Sequence, residues 1–448
     1  MTLRSALLPD LGPLRTSRDF RAVFGSRTVA LTGSSATEVA LLVQAKQLTN
    51  SPLVVGTLGL AELVPVLLFG LYGGVLADRL DRKVLMRWCE PGLAACAGLL
   101  LLNATRPHPL LWPLYLVAAL MTALFALQRP SFDAAIPRLV RADQQTAAAA
   151  LMSMSMNMTV LAGSSLGGVL AITPGAWSVY TLDAAGFVAS FAFLSRLPAL
   201  PQLAGAGAGH RPAAVRQLLA GLRYAASRKD LLGSYLVDLA AMIFAYPNAL
   251  LPFMAVALRA PWSAGLMFAA PSAGAVIVSV TSGWMGRIRR HGVAIAISAA
   301  CWGLALAAFG LSPDIGLGLV LLAIAGGADE SSAIFRSTLW NQTIPDDVRG
   351  RMAGIELLSY AAGPPAGQLR SGAVAAVAGP RFSMVSGGLA CVVGVTAACA
   401  AFPAFRHYRA GPASPGDRTD NGGGGGADAT ADGTGPGLPD QEAEPLRS

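Results

Sequence analysis

Long apolar segments dominate this chain, and very few folds can contain them. Twelve run over roughly 22–46, 53–77, 84–103, 111–136, 146–172, 177–197, 231–257, 262–286, 292–312, 316–342, 350–375 and 381–403. Each is about the ~20 residues a helix needs to cross a bilayer core. In lipid a backbone must satisfy its own hydrogen bonds, so only helices and closed barrels span. Segments this long and this continuously apolar read as helices rather than as alternating strands. Charge supports the same conclusion, because only 13% of the 448 residues are charged, too few to cover a soluble protein of this size. Turn chemistry separates the segments at Asn50-Ser51-Pro52, Arg106-Pro107-His108-Pro109, Thr173-Pro174-Gly175 and Ser312-Pro313-Asp314.

The loops carry the orientation. Of the 33 Lys and Arg residues, 25 fall in the N-terminus, the tail and alternate loops, and Lys46, Arg106, Arg259 and Arg381 alone fall in the other loops. The positive-inside rule then places both termini in the cytoplasm of a multi-pass protein of the cell membrane. The net charge of +8 is spread over these clusters, so a nucleic-acid partner is not expected. Residues 1–20 lack the short apolar run and cleavage site of a signal peptide. The Gly- and Ala-rich stretch from Pro201 to His210, followed by a basic amphipathic stretch from Val215 to Lys229, divides the segments six and six. The expected organisation is a cytoplasmic N-terminus over 1–19, a six-helix bundle over 20–197, a cytoplasmic linker over 198–230, a second bundle over 231–405 and a disordered tail over 406–448. The fold class is all-α, with 12 transmembrane helices in two six-helix bundles. A weak echo between Arg129 with Ile136-Pro137 and Arg336 with Ile344-Pro345 fits two parallel halves.

The loop between segments 2 and 3 reads Gly74-Val75-Leu76-Ala77-Asp78-Arg79-Leu80-Asp81-Arg82-Lys83. Its basic residues suit the anionic inner leaflet and lipid headgroups. As a whole it resembles the signature loop of the major facilitator superfamily, G-x-L-A-D-R-x-G-R-K, with Asp81 in place of the usual Gly. An acid there is similar to the branch that contains the enterobactin exporter. Phe20-Arg21-Ala22-Val23-Phe24, Leu218-Leu219-Ala220-Gly221 and Gly350-Arg351-Met352 extend the resemblance over about 18–405. It implies that Asp78, with Gly74, Arg79, Arg82 and Lys83, forms a conformational latch on the cytoplasmic side. Gly163-Ser164-Ser165-Leu166-Gly167-Gly168 matches a drug-antiporter pattern only in its glycines, and close helix packing explains it equally well.

Ionisable groups within spans are costly and normally face a cavity or a partner. They are Glu38, Glu62, Arg129, Asp133, Asp183, Asp238, Asp329, Glu330 and Arg336. The resemblance implies that helices 1, 4, 7 and 10 line the central cavity. The first segment is the least apolar, with Thr28, Thr32, Ser34, Ser35 and Thr37 around Glu38, and the seventh is interrupted at Tyr246-Pro247-Asn248. Glu38 and Asp238 are therefore the expected core of a proton-coupling and substrate site. Arg129 and Arg336 are its expected charge partners, with Asp329 and Glu330 as further candidates. Asp183 fits structural hydrogen bonding as well, Glu62 fits pairing with an Arg or a protonated place in the packing, and Arg336 with Asp329, two helical turns apart, fits a structural ion pair as well as a functional one.

The expected function is secondary active export of a small molecule, such as a siderophore, drug or secondary metabolite, by alternating access coupled to protons, in a monomer. Import or uniport on the same scaffold, and a non-transporting receptor, are the alternatives. The sequence has no P-loop, nucleophile–base set or metal-ligand spacing, so catalysis, a metal and a cofactor are not expected. The five cysteines lie in apolar stretches, where a free thiol packs as a small hydrophobe.

Overall fold

The structure is a computed structural model that describes residues 10–77, 81–198, 223–224, 227–344 and 346–409, with side chains outside 70–77 and 346–361. Twelve long helical segments fill it: α1 (Arg18–Thr49), α2 (Pro52–Ala77), α3 (Arg82–Ala104), α4 (Trp112–Leu139), α5 (Gln145–Leu170), α6 (Ala176–Ser195), α7, α8 (Ala264–Thr281), α9 (His291–Leu311), α10 (Ile315–Thr343), α11 (Asp346–Ala378) and α12 (Pro380–Ala401). The segment α7 is broken, as α7a (Lys229–Ala245) and α7b (Leu251–Ala257). The chain has no strand among the described residues.

Local chemistry sets the ends. Ser17 caps α1, accepting from Phe20 N at 3.1 Å and donating to Leu139 O at 2.6 Å. Asn50 ends α1 in the left-handed conformation (φ 48°), which lets α2 begin at Pro52. Asp314 caps α10 through Leu317 N at 3.0 Å. The break in α7 falls at Tyr246-Pro247-Asn248, where proline has no N–H to continue the ladder.

Nine stretches among the described residues are long and apolar enough to cross a membrane, and one of them, Ala142–Ser195, contains both α5 and α6. The helix α1 is not among the nine, because its hydroxyl-rich stretch around Glu38 lowers its hydropathy. Large apolar side chains point outward all round: Trp88, Leu102 and Val393 are each 66% exposed. Such surface is stable against lipid and not against water.

Packing follows a repeat. The helix α1 lies on α5 and α6, α3 on α4 and α6, and α2 on α4. Likewise α7a lies on α11 and α12, α9 on α10 and α12, and α8 on α10. Adding six to each number of the first set yields the second, so an approximate two-fold relates the two sets of helices. The sets meet through α2 with α11 and α5 with α8, pairs that the same operation exchanges.

Small residues permit these crossings. A Cβ on Gly59 would lie 2.7 Å from Pro365 O, and one on Gly265 would lie 2.7 Å from Gly168 Cα. Gly163 and Gly167 press on α1, so the glycines of α5 serve helix packing. Residues 199–222 of the expected linker and 410–448 of the expected tail lie outside the described residues.

Candidate functional site

Where the two sets of helices face each other, a cavity of about 370 Å³ opens. Glu38 of α1, Glu62 of α2, Phe125 of α4, Tyr246 at the α7 break and Gln368 of α11 line it. Glu38 is exposed to it, although its neighbours Ala36, Thr37, Val39 and Ala40 are buried. A smaller pocket of about 10 Å³ lies between Glu38, Glu62 and Gln368, roughly the room one water needs. No Lys, Arg or His lines either space among the described residues.

The break in α7 supplies the contact across the cavity. Asn248 Nδ2 donates to Glu38 Oε1 at 3.4 Å and to Tyr246 Oη at 2.9 Å. Tyr246 lies within electrostatic reach of Glu38, Glu62 and Asp329.

Asp238 is placed elsewhere. It is 2% exposed, inside the second set of helices, and Arg336 Nη1 donates to its Oδ1. Arg336 also reaches Ser332 Oγ at 3.4 Å. The structure thus does not bring Asp238 to Glu38: Asp238 is two turns before the α7 break and faces α10. Asp329 lies within electrostatic reach of the Asp238–Arg336 pair, and Glu330 accepts from Ser279 at 2.7 Å. Arg129 sits 3.8 Å from Asp133, which also lies 3.7 Å from Arg27. Arg129 and Asp133 are 45% and 58% exposed, and neither lines the cavity.

Of the loop between α2 and α3, Asp78 and Arg79 lie outside the described residues. Gly74 is in α2. Asp81 caps α3, accepting from Lys83 N at 2.8 Å. Arg82 Nη1 donates to Ala134 O at 2.9 Å, and Lys83 Nζ donates to Leu197 O. Both tie the loop to helices of its own set. The described cysteines are all free, and no group of metal-binding side chains occurs among the described residues.

Sequence reading missed three residues of this arrangement. Asn248 was legible as part of a helix break but not as the partner of Glu38. Arg27 sits in a basic start of α1 that resembles a topogenic charge. Glu90 of α3, 1% exposed, sits in a strongly apolar span beside Pro91 and gives no local sign of a partner.

A helical bundle repeated about a two-fold, with a polar cavity between the repeats, defines a major facilitator transporter. Solved structures agree in fold. The nucleoside transporter NupG (D323A mutant) superposes with a TM-score of 0.72 at 13% identity, over 86% of this chain and 100% of that one. A bacterial homolog of the human lysosomal transporter Spinster, in an inward-facing and unoccupied conformation, superposes with a TM-score of 0.69 at 14% identity, over 87% and 98%. A family model described as transmembrane secretion effector matches residues 9–412, and the chain belongs to that family of major facilitator proteins. Among its relatives is the enterobactin exporter EntS of Citrobacter koseri (strain ATCC BAA-895 / CDC 4225-83 / SGSC4696), 31% identical over 87% of this chain and 93% of that protein. EntS of Escherichia coli (strain K12) is 29% identical over 91% and 98%.

Proposed function

We propose that this protein exports a small amphipathic molecule across the cell membrane by alternating access, driven by inward movement of protons. The observation that carries the reading is the cavity itself. It is walled by both sets of helices and holds two carboxyl groups, Glu38 and Glu62, with one cross-cavity contact to Asn248. Carboxyl groups facing each other without a cation favour protonation or a ligand that neutralises them. The same groups can therefore take protons from one side and yield them to substrate or to the other side. Either exchange favours one arrangement of the two helix sets over the other.

The basic ends of the helices are assigned to the cytoplasm by their Lys and Arg content, with both termini there. The described close crossings, Gly56 and Gly59 on α11 and Gly168 on Gly265, then lie toward the outer face. This arrangement is closed on the outer side, and the cavity is assigned as the space that a cytoplasmic substrate enters. The names of the relatives support export over import or a non-transporting role. The working unit is a monomer in contact with lipid, with no nucleic-acid partner.

Substrate charge follows from the lining. Among the described residues the lining offers carboxyl, hydroxyl, phenol, amide and apolar groups and no basic one, which suits a neutral or cationic molecule better than an anion. Enterobactin and the lipophilic cation tetraphenylphosphonium are the two informative probes. Inverted vesicles given an acid-inside pH gradient should accumulate at least one of them, and a protonophore should abolish the accumulation. Vesicles that accumulate neither probe, or do so equally with the protonophore present, contradict the proposal.

A further inference from the structure

Behind α1, on the side away from the cavity, two carboxyl groups are sealed among α1, α3 and α6. Glu90 is 1% exposed and Asp183 is 0% exposed. Thr37 Oγ1 donates to Asp183 Oδ2 at 2.6 Å. Asp183 Oδ1 and both oxygens of Glu90 have no hydrogen-bond partner among the described residues. Ser190 faces Glu90 and shares a 2.6 Å hydrogen bond with Ser26 Oγ in which either hydroxyl can be the donor.

The other ionisable groups facing this pair are Cys89 and Cys96 of α3 and Tyr180 of α6. Tyr180 Oη donates to Gln44 Oε1 at 2.7 Å, so it does not serve the carboxyls. Arg87, one turn before Glu90, lies over the Phe191 ring at 4.9 Å. Arg27 of α1 is engaged with Asp133 of α4. No Lys, Arg or His among the described residues pairs with either acid.

An ionised carboxylate buried without a counter-charge is strongly unfavourable, and a second acid in the same enclosure adds to the cost. Neutralising one supplies an O–H donor, which is what three partnerless acceptor oxygens lack. We propose that Glu90 and Asp183 are two proton-holding carboxyls in one enclosure, which together keep at least one proton at neutral pH. The pair is a proton site separate from the cavity glutamates.

The geometry also links this site to the cavity. Thr37 donates to Asp183, and the next residue, Glu38, faces the cavity. Gly33 allows the approach, since a Cβ there would lie 3.0 Å from Asp183 Cα. A turn or tilt of α1 that re-exposes Glu38 must therefore also move the one donor that Asp183 has. In this way a proton on the pair favours one position of α1.

The test is infrared difference spectroscopy of the full chain in lipid over an acid-to-alkaline pH series. It needs no substrate, so it stands apart from the export proposal. Wild type should show a carboxylic-acid C=O band that disappears on deprotonation. Glu90→Gln and Asp183→Asn should each remove intensity from it. Thr37→Val should keep the band and move it to higher frequency, because the carbonyl loses a hydrogen bond. If Asp183→Asn does not fold, Glu90→Gln and Thr37→Val decide the question. A titrating band identical to wild type in those variants overturns the proposal.

Discussion

Adding one methyl group at the crossing of α5 and α8 should open the closed end of the molecule. In Gly265→Ala the new Cβ would lie 2.7 Å from Gly168 Cα and 3.0 Å from Ser165 O. Carbon atoms prefer separations of about 3.5–4.0 Å. Both neighbours are backbone, so no side chain can rotate away and the helices must part by about 1 Å. Overpacking of this kind costs roughly 1–3 kcal/mol. The cost falls only on the arrangement in which α5 and α8 touch, so it shifts the balance between the two arrangements by about 5- to 150-fold. The assay is alkylation of a cysteine placed at Ser35, on the cavity wall, by a membrane-impermeant reagent added outside intact cells. The Gly265→Ala background should raise the rate at least about fivefold at equal membrane level. An unchanged or slower rate would refute the idea that this crossing closes the outer side.

Three further outcomes are expected. Asp238→Asn leaves Arg336 buried and charged, which should destabilise the protein by about 3–5 kcal/mol; a melting temperature in detergent equal to wild type would contradict a structural pair. Removing both charges in Asp238→Asn with Arg336→Met should restore much of that loss. Asp78→Asn should leave membrane levels intact and slow transport, since a latch that differs between two states sets their populations; wild-type turnover would reject the latch. Cysteines placed at Gly205 and in the tail should label only after the membrane is opened, and labelling in intact cells would reverse the assigned topology.

Much of the fold is visible in the sequence because lipid makes local demands. A span must be apolar over its whole length, and loops must carry turn residues, so the segment around each of the twelve helices is readable without partners. The unusual polarity of α1 and the proline break in α7 are local too, and both mark the cavity. Partnership is different. Asp238 and Arg336 are 98 residues apart, whereas the spacing of Asp329 and Arg336 suggested a pair within α10. Which of two acids an arginine faces depends on how α7a and α10 are rotated, and that rotation is a property of packing across the whole bundle. Glu90 shows the same limit from the other side. Its helix is a good span, and one acid in it signals nothing until α6 packs over it with Ser190 facing it. Asn248 pairs with Glu38 over 210 residues through a long contact that no sequence spacing anticipates.

The central claim is that the cavity glutamates couple protons to export, and one comparison tests it most directly. Glu38→Gln and Glu62→Gln keep shape and hydrogen bonding and remove titration. In inverted vesicles each should lose at least about tenfold of pH-driven accumulation of the transported probe. Downhill exchange of the same probe should persist in both variants. If the double variant still concentrates the probe in response to a pH gradient as wild type does, these carboxyl groups do not carry the coupling and the account is wrong.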